Sequence, residues 1–256
     1  RQRQMCIRDS DYDDPDTYKM LGQGETEGVF QLESSGMKQV LAGLQPQNLE
    51  DVIALISLYR PGPMDSIPTY LRNRHEPDKI SYKTPQLAHI LDVTNGCIVY
   101  QEQVMQIFRE LAGFSFGQAD NVRRAMSKKK HAVMEAEREH FVHGCTDPGN
   151  ECPGCVANGI SEKVANEIYD EMSSFASYAF NKSHAACYAY VAFQTAYLKC
   201  HYPSEFMAAL LTSVLDNTDK VIEYSGECAR LGIKVLPPDI LSLIHISEPT
   251  RPISIS

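Results

Sequence analysis

The chemistry-bearing residues of this sequence fall in three short stretches. In residues 118–131 (QADNVRRAMSKKKH), the five cations Arg123, Arg124, Lys128, Lys129 and Lys130 fall within eight consecutive positions. On a helix, side chains three to five residues apart crowd around one or two turns. Two guanidinium forks can clasp pairs of phosphate oxygens while ammonium groups add point charge, a mixture suited to a polyphosphate or a nucleic-acid backbone. The bland alternative is a solvated, charged helix face.

The second stretch is Asn181-Lys182-Ser183-His184. Asn181 is placed to cap a long Ala- and Tyr-rich helix, with Lys182 and His184 in its first turn. The first N–H groups of a helix lack intrahelical partners and carry the positive end of its dipole, so an anion is favoured there. A structural histidine is the alternative for His184. Arg60, at a predicted helix end before Pro61-Gly62-Pro63, reads either as a cation on the helix dipole or as a ligand contact. The third stretch places His143, Cys145, Cys152 and Cys155 within thirteen residues, with Pro153-Gly154 turning between the paired cysteines. Four soft ligands at that reach could hold a structural Zn2+ tetrahedrally. The alternative is a surface loop with incidental thiols.

Helices must position these groups. Ser34 or Ser35 starts one that runs to about Gly43, and Asn48 caps another with Leu49, Val52, Ile53 and Ile56 at helical spacing. Further helices are expected over 67–74, within 85–92, and from Gln101 through Leu111 with Val104, Ile107, Phe108 and Leu111 inward. The basic stretch and residues 132–143 follow, then a helix capped by Ser161, the long helix after Asn181, one over 204–215, and one capped by Asn217. Glu102 and Gln103 read as surface or capping groups. Residues 97–100 and 233–236 are strand candidates. The class is mainly α with a few short strands.

The chain has 256 residues, with 24 Lys and Arg against 33 Asp and Glu and a net charge of −9. That balance excludes non-specific coating of DNA by the whole surface, so an anionic ligand must be held locally. No apolar run approaches the roughly 20 residues of a membrane span, which predicts no membrane partner. Cys97, Cys187, Cys200 and Cys228 are scattered in apolar settings, as in a reducing compartment, and the cytoplasm is the expectation.

Several stretches together resemble one family, the alpha subunits of bacterial DNA polymerase III, the C-family replicative polymerases. They are GVFQLESSGM (28–37), ALISLYRPGPMD (54–65), IVYQEQVMQI (98–107), ADNVRRAMSKKK (119–130), FNKSHAACYAYVAFQTAYLK (180–199), HYPSEFMAALLTS (201–213) and LPPDI (236–240), in the family's order. The terminal peptides MCIRDS (5–10) and LSLIHI (241–246) back-translate into reverse complements, resembling a transposon-end sequencing adapter. Residues 1–10 and 241–256 are therefore expected to be adapter-derived.

The resemblance implies a fragment of a DNA-directed DNA polymerase: residues 11–60 as the end of the palm leading into the fingers, and 61–240 as a multi-helix fingers domain with a cysteine-containing loop at 143–159. It implies that Arg123, Arg124, Lys128, Asn181, Lys182, Ser183 and His184 hold the triphosphate of an incoming dNTP, and that Arg60, Lys129 and Lys130 make DNA or structural contacts. Three palm aspartates of that family hold Mg2+. Their motifs lie upstream of this segment, and Asp51 and Asp65 do not sit in them, so no catalytic residue is assigned and the fragment alone is expected to be inactive. The implied partners are primer-template DNA, dNTPs and, through contacts outside the segment, the sliding clamp and other holoenzyme subunits. The zinc expectation draws nothing from the resemblance. The alternatives are a non-catalytic helical DNA-binding module and a zinc-stabilised interaction domain.

Overall fold

The computed structural model of the chain describes residues 12–128, 131–176 and 180–236. Lys129, Lys130 and both expected adapter segments lie outside them. Thirteen α-helices run through the described residues, confirming the mainly helical class. The first three begin at side-chain caps. Asp14 Oδ2 accepts from the Thr17 N–H (2.8 Å) at α1 (Pro15–Gly22), Ser34 Oγ from Met37 (3.3 Å) at α2 (Ser35–Leu44), and Asn48 Oδ1 from Asp51 (2.9 Å) at α3 (Leu49–Leu58). There follow α4 (Ile67–His75), α5 (Ala88–Leu91), α6 (Gln101–Ala112), α7 (Phe116–Ser127), α8 (His131–His143), α9 (Gly154–Ala157) and α10 (Glu162–Ala176). The last helices among the described residues are α11 (Lys182–His201), α12 (Pro203–Ser213) and α13 (Thr218–Arg230).

Neither expected strand forms. Among the described residues, β-pairing is confined to two isolated bridges, Tyr100 with Phe180 (parallel) and Cys145 with Cys152 (antiparallel). The β-branched character of residues 97–100 reflects burial instead: Cys97, Ile98, Val99 and Tyr100 are all buried.

Compactness divides the chain into two units. One combines residues 12–51 with 188–236, and the other is Val52–Cys187. In the second unit, the α6 stripe of Val104, Ile107, Phe108 and Leu111 is fully buried as its spacing predicts, and packs with Val122 and Met126 of α7, Phe141 of α8, and Ile168 and Met172 of α10. Phe108 centres an aromatic group, its ring 5.3 Å from Phe114, 5.0 Å from Phe141 and 6.0 Å from Tyr169. Such pairs add about 1 kcal/mol each beyond their buried area. Of the surface and capping roles expected for Gln103, the structure gives the capping one, with the side chain buried. Its Oε1 accepts from the Val99 and Tyr100 N–H groups (2.9 and 3.0 Å), and its Nε2 donates to Ile90 O (3.1 Å) and Thr94 Oγ1 (2.7 Å). A polar side chain so fully partnered can be buried without penalty.

The first unit is held by a buried ionic network. Lys199 Nζ lies 2.6 Å from Glu227 Oε1 and donates to Glu27 O at 2.9 Å, with the Lys199 and Glu227 side chains only 1% and 2% exposed. Arg230 grips both Glu227 oxygens from Nε and Nη2 (2.7 and 2.8 Å) and reaches Glu25 through Nη1 (3.0 Å). Burial pushes the Glu227 carboxyl up, but the hydrogen bonds from Arg230 and Lys199 outweigh it and hold the group below its usual value. Lys199, desolvated and close to Arg230, is pulled below the usual range of an amine.

Removing one partner of such a pair leaves a buried charge uncompensated. Glu227→Gln is expected to cost about 3–5 kcal/mol in urea unfolding at pH 7. Because the folded carboxyl titrates below the unfolded one, its contribution is present above the unfolded pKa and is lost as pH falls through the carboxylate range. The wild-type urea midpoint should fall more steeply than that of Glu227→Gln over that interval; parallel profiles would show that the carboxylate does not stabilise the fold.

Candidate functional site

The site in the second unit begins with a backbone contact. The Gln101 N–H donates to Phe180 O at 3.0 Å, which sets the first turn of α6 beside the residues that open α11. Asn181 caps α11 as expected, its Oδ1 accepting from the His184 N–H at 2.9 Å. The anion position at that helix end is taken by a protein carboxylate. Glu102 Oε1 accepts from Asn181 Nδ2 at 3.0 Å, and the Lys182 N–H lies 3.2 Å from both Glu102 oxygens. Glu102 is exposed, and a negative charge at an exposed helix N-terminus contributes about 0.3–1 kcal/mol.

The aromatic rings beside this end carry cations. The Arg60 guanidinium lies 3.8 Å from the Phe180 ring centroid, and Lys182 Nζ lies 5.3 Å from that of Tyr100. The His184 ring meets Phe180 edge-on at 5.3 Å. Arg60 thus belongs to this cluster through ring stacking, beyond either role its sequence position suggested. Ser183 is exposed in the same turn.

The basic helix α7 opens with a reciprocal cap. Ser115 Oγ accepts from the Gln118 N–H (3.3 Å), and Gln118 Oε1 accepts from the Ser115 N–H (2.7 Å). Ala119, Val122, Ala125 and Met126 are buried, so Asp120, Arg123 and Arg124 occupy the face away from the core. Asp120 binds both arginines: its Oδ1 accepts from Arg123 Nε (3.0 Å) and Nη2 (2.7 Å), while Arg124 Nε is 2.7 Å from Oδ2. The hydrogen bonds from Arg123, with the charge of both arginines, hold the Asp120 carboxyl below its usual value. The Arg123 side chain is 21% exposed and that of Arg124 65%. Arg123 Nη1 also donates to Gln101 Oε1 at 2.9 Å. Lys128 ends the helix, exposed.

The two cationic stretches, nearly sixty residues apart in sequence, therefore meet through Gln101 and Glu102. Gln101 holds Arg123, and Glu102 holds the start of α11. Asp120, Gln101, Glu102 and the Tyr100 and Phe180 rings were not selected from sequence. The usable signal was the run Gln101-Glu102-Gln103: once Gln103 caps its own helix, Glu102, rotated 100° away, must face something else.

The third stretch does not come together as ligands. Cys145 and Cys152 pair by backbone, each N–H donating to the other's carbonyl at 2.9 Å. Cys152 Sγ lies 3.6 Å from His140 O, Cys155 is buried in α9, and His143 Nε2 points toward Glu139 (3.9 Å) and Glu162 (3.8 Å). Among the described residues, the group that brings three potential metal-ligand atoms within 4.8 Å of one another is Asp14, Cys200 and His201, in the first unit. Packing organises the cysteine loop instead. A Cβ on Gly154 (φ +78°) would lie 2.3 Å from Gly144 N, Asn158 Nδ2 donates to Leu111 O (2.8 Å), and Gln118 Nε2 to Asn150 Oδ1 (3.0 Å). Burial pushes the Cys155 thiol up to about 12 and raises that of Cys152.

A thiol held protonated by burial reacts slowly. Cys152 and Cys155 should resist a thiol reagent at neutral pH until the protein unfolds, and a chelator should leave the thermal midpoint unchanged; stoichiometric zinc release with unfolding would establish a metal centre. Gly154→Ala, forced into a left-handed conformation against backbone, should lose at least about 2 kcal/mol.

A family model described as "Bacterial DNA polymerase III alpha subunit finger domain" matches residues 1–149. Relatives named DNA polymerase III subunit alpha are similar over most of the chain. That of Thermus aquaticus is 51% identical over 233 residues, covering 89% of this chain and 18% of the relative. That of Pasteurella multocida (strain Pm70) is 48% identical over 235 residues (89% and 19%), and that of Bacillus subtilis (strain 168) 47% over 229 residues (90% and 20%). The chain spans about a fifth of the length of these relatives. Among the described residues, no helix is long and apolar enough to cross a membrane.

Proposed function

The chain belongs to the finger-domain family of bacterial DNA polymerase III alpha subunits, and we propose that its second unit binds the triphosphate of an incoming dNTP during template-directed DNA synthesis. The observation that carries this reading is the convergence of the arginine pair of α7 and the N-terminal end of α11 on one turn of α6. A triphosphate needs several donors spread over its length, and this cluster offers two guanidinium groups, backbone and Asn181 amide N–H groups, and the Lys182 ammonium.

In the reaction, the primer 3′-hydroxyl oxygen, giving up its proton, bonds to the α-phosphorus as the bond from that phosphorus to its bridging oxygen breaks, and negative charge develops on the departing pyrophosphate. Arg123 and Arg124, held by Asp120 in fixed orientation, would stabilise that charge without reorganising. Lys182 and His184 would steady the same phosphates from the α11 end. Lys128, exposed at the end of α7, would add its charge to the phosphates; Arg60, exposed beside the cluster, would contact primer-template backbone, as would Lys129 and Lys130.

Mg2+, when bound in such a polymerase, activates the primer hydroxyl and neutralises phosphate charge. The residues described here do not fit it: Glu102 and Asp120, the carboxylates at the site, are engaged by Asn181 and Lys182 and by the arginines. The parent protein would work with replicase partners in the bacterial cytoplasm, a compartment with which the scattered free thiols accord.

Primer extension tests this reading, with residues 11–240 replacing the matching stretch of a related complete alpha subunit. Arg123→Ala/Arg124→Ala should raise the dNTP KM or lower kcat at least tenfold, a loss of about 1.4 kcal/mol or more of binding or transition-state stabilisation, with the thermal midpoint retained. A folded double variant that extends primers as well as the parent would remove the arginines from the triphosphate site.

A further inference from the structure

Resting on the triphosphate reading above, we propose that Glu102 is a displaceable internal anion that occupies the phosphate position at the start of α11 and makes the site selective for polyphosphates. Glu102 does not serve as the local cap of α11. Asn181 already does that by accepting from the His184 N–H, and Glu102 comes from another helix nearly eighty residues earlier. Its two oxygens instead receive the outward donors that remain, Asn181 Nδ2 and the Lys182 N–H, at 3.0 and 3.2 Å. These donors would otherwise meet phosphate oxygens.

The contact is built to exchange. Glu102 is exposed, so it can swing into water when the donors are taken by another anion. Lys182 Nζ stays near the Tyr100 ring, where it can add its charge to whichever anion is present. The adjacent Gln101 holds Arg123, which Asp120 holds independently through two further hydrogen bonds, so movement of the first turn of α6 need not release the guanidinium. A tethered carboxylate competes at high effective concentration. Inorganic phosphate, with contacts only at the α11 end, loses that competition. A chain of three phosphates also engages Arg123 and Arg124 and wins it. Glu102 is a positioning and selectivity residue; it takes no part in bond making.

Isothermal titration of the chain with tripolyphosphate and, separately, inorganic phosphate tests this, using wild type, Glu102→Gln, Glu102→Ala and Arg123→Ala/Arg124→Ala. Both Glu102 variants should bind tripolyphosphate three- to thirtyfold tighter and gain a larger factor for phosphate, while their thermal midpoints stay level or fall by a few degrees. A purely structural residue would lower stability and affinity together. Unchanged or weaker tripolyphosphate binding by folded Glu102 variants, with binding lost in the arginine double variant, would overturn the displaceable anion and leave the triphosphate reading standing. Absence of tripolyphosphate binding in wild type and every variant would overturn both.

Discussion

The contact between Tyr100 and Phe180 is the constraint on which the candidate site depends. It joins segments eighty residues apart, and closing so long a loop costs conformational entropy that a single hydrogen bond cannot offset. The cost is met by what surrounds it. Gln103 locks the Val99 and Tyr100 amides from below, the α6 stripe buries against α7, α8 and α10, and the cysteine loop packs at the far end of α6 through Asn158 and Leu111. The apolar core of this unit thus fixes the register in which Gln101 faces Arg123 and Glu102 faces Lys182. The core is where the stability lies; the site is what the register leaves on the surface.

Helices and caps were the most legible part of the sequence, because each rests on local chemistry. Ser34, Asn48, Ser161, Asn181 and Asn217 cap where their side chains suggested, and the Val104-Ile107-Phe108-Leu111 stripe is buried. The strand expectation at residues 97–100 failed because β-branched residues report burial, and sequence does not tell whether a partner strand is available. The candidate site was half legible. Charge density picked out Arg123, Arg124 and the start of α11, since like charges close in sequence stand out in an acidic chain. The carboxylates and amides that organise them did not stand out, because Asp120, Gln101 and Glu102 acquire their roles only from tertiary neighbours. The cysteine stretch had ligand spacing, yet spacing along the chain does not fix the direction of a thiol: Cys155 points into the core and His143 toward glutamates.

The same charge chemistry serves two ends in this chain, and burial separates them. Lys199 and Glu227 are almost wholly removed from water, where an unmatched charge costs several kcal/mol, so neither can leave its partner and the network is permanent. Glu102 at the α11 N-terminus lies in solvent, where such a contact contributes at most about 1 kcal/mol. On the proposed reading, a contact held that weakly orients the site when no ligand is present and yields when a more highly charged anion arrives. Net charge follows the same logic. At −9 the protein repels polyanions at long range, but salt at physiological strength screens that repulsion beyond about 8 Å. What a phosphate chain meets at contact is then the local arrangement of arginines and helix N–H groups. On the proposed reading, Glu102 lowers the attraction of that arrangement for single anions more than for a ligand long enough to reach both foci.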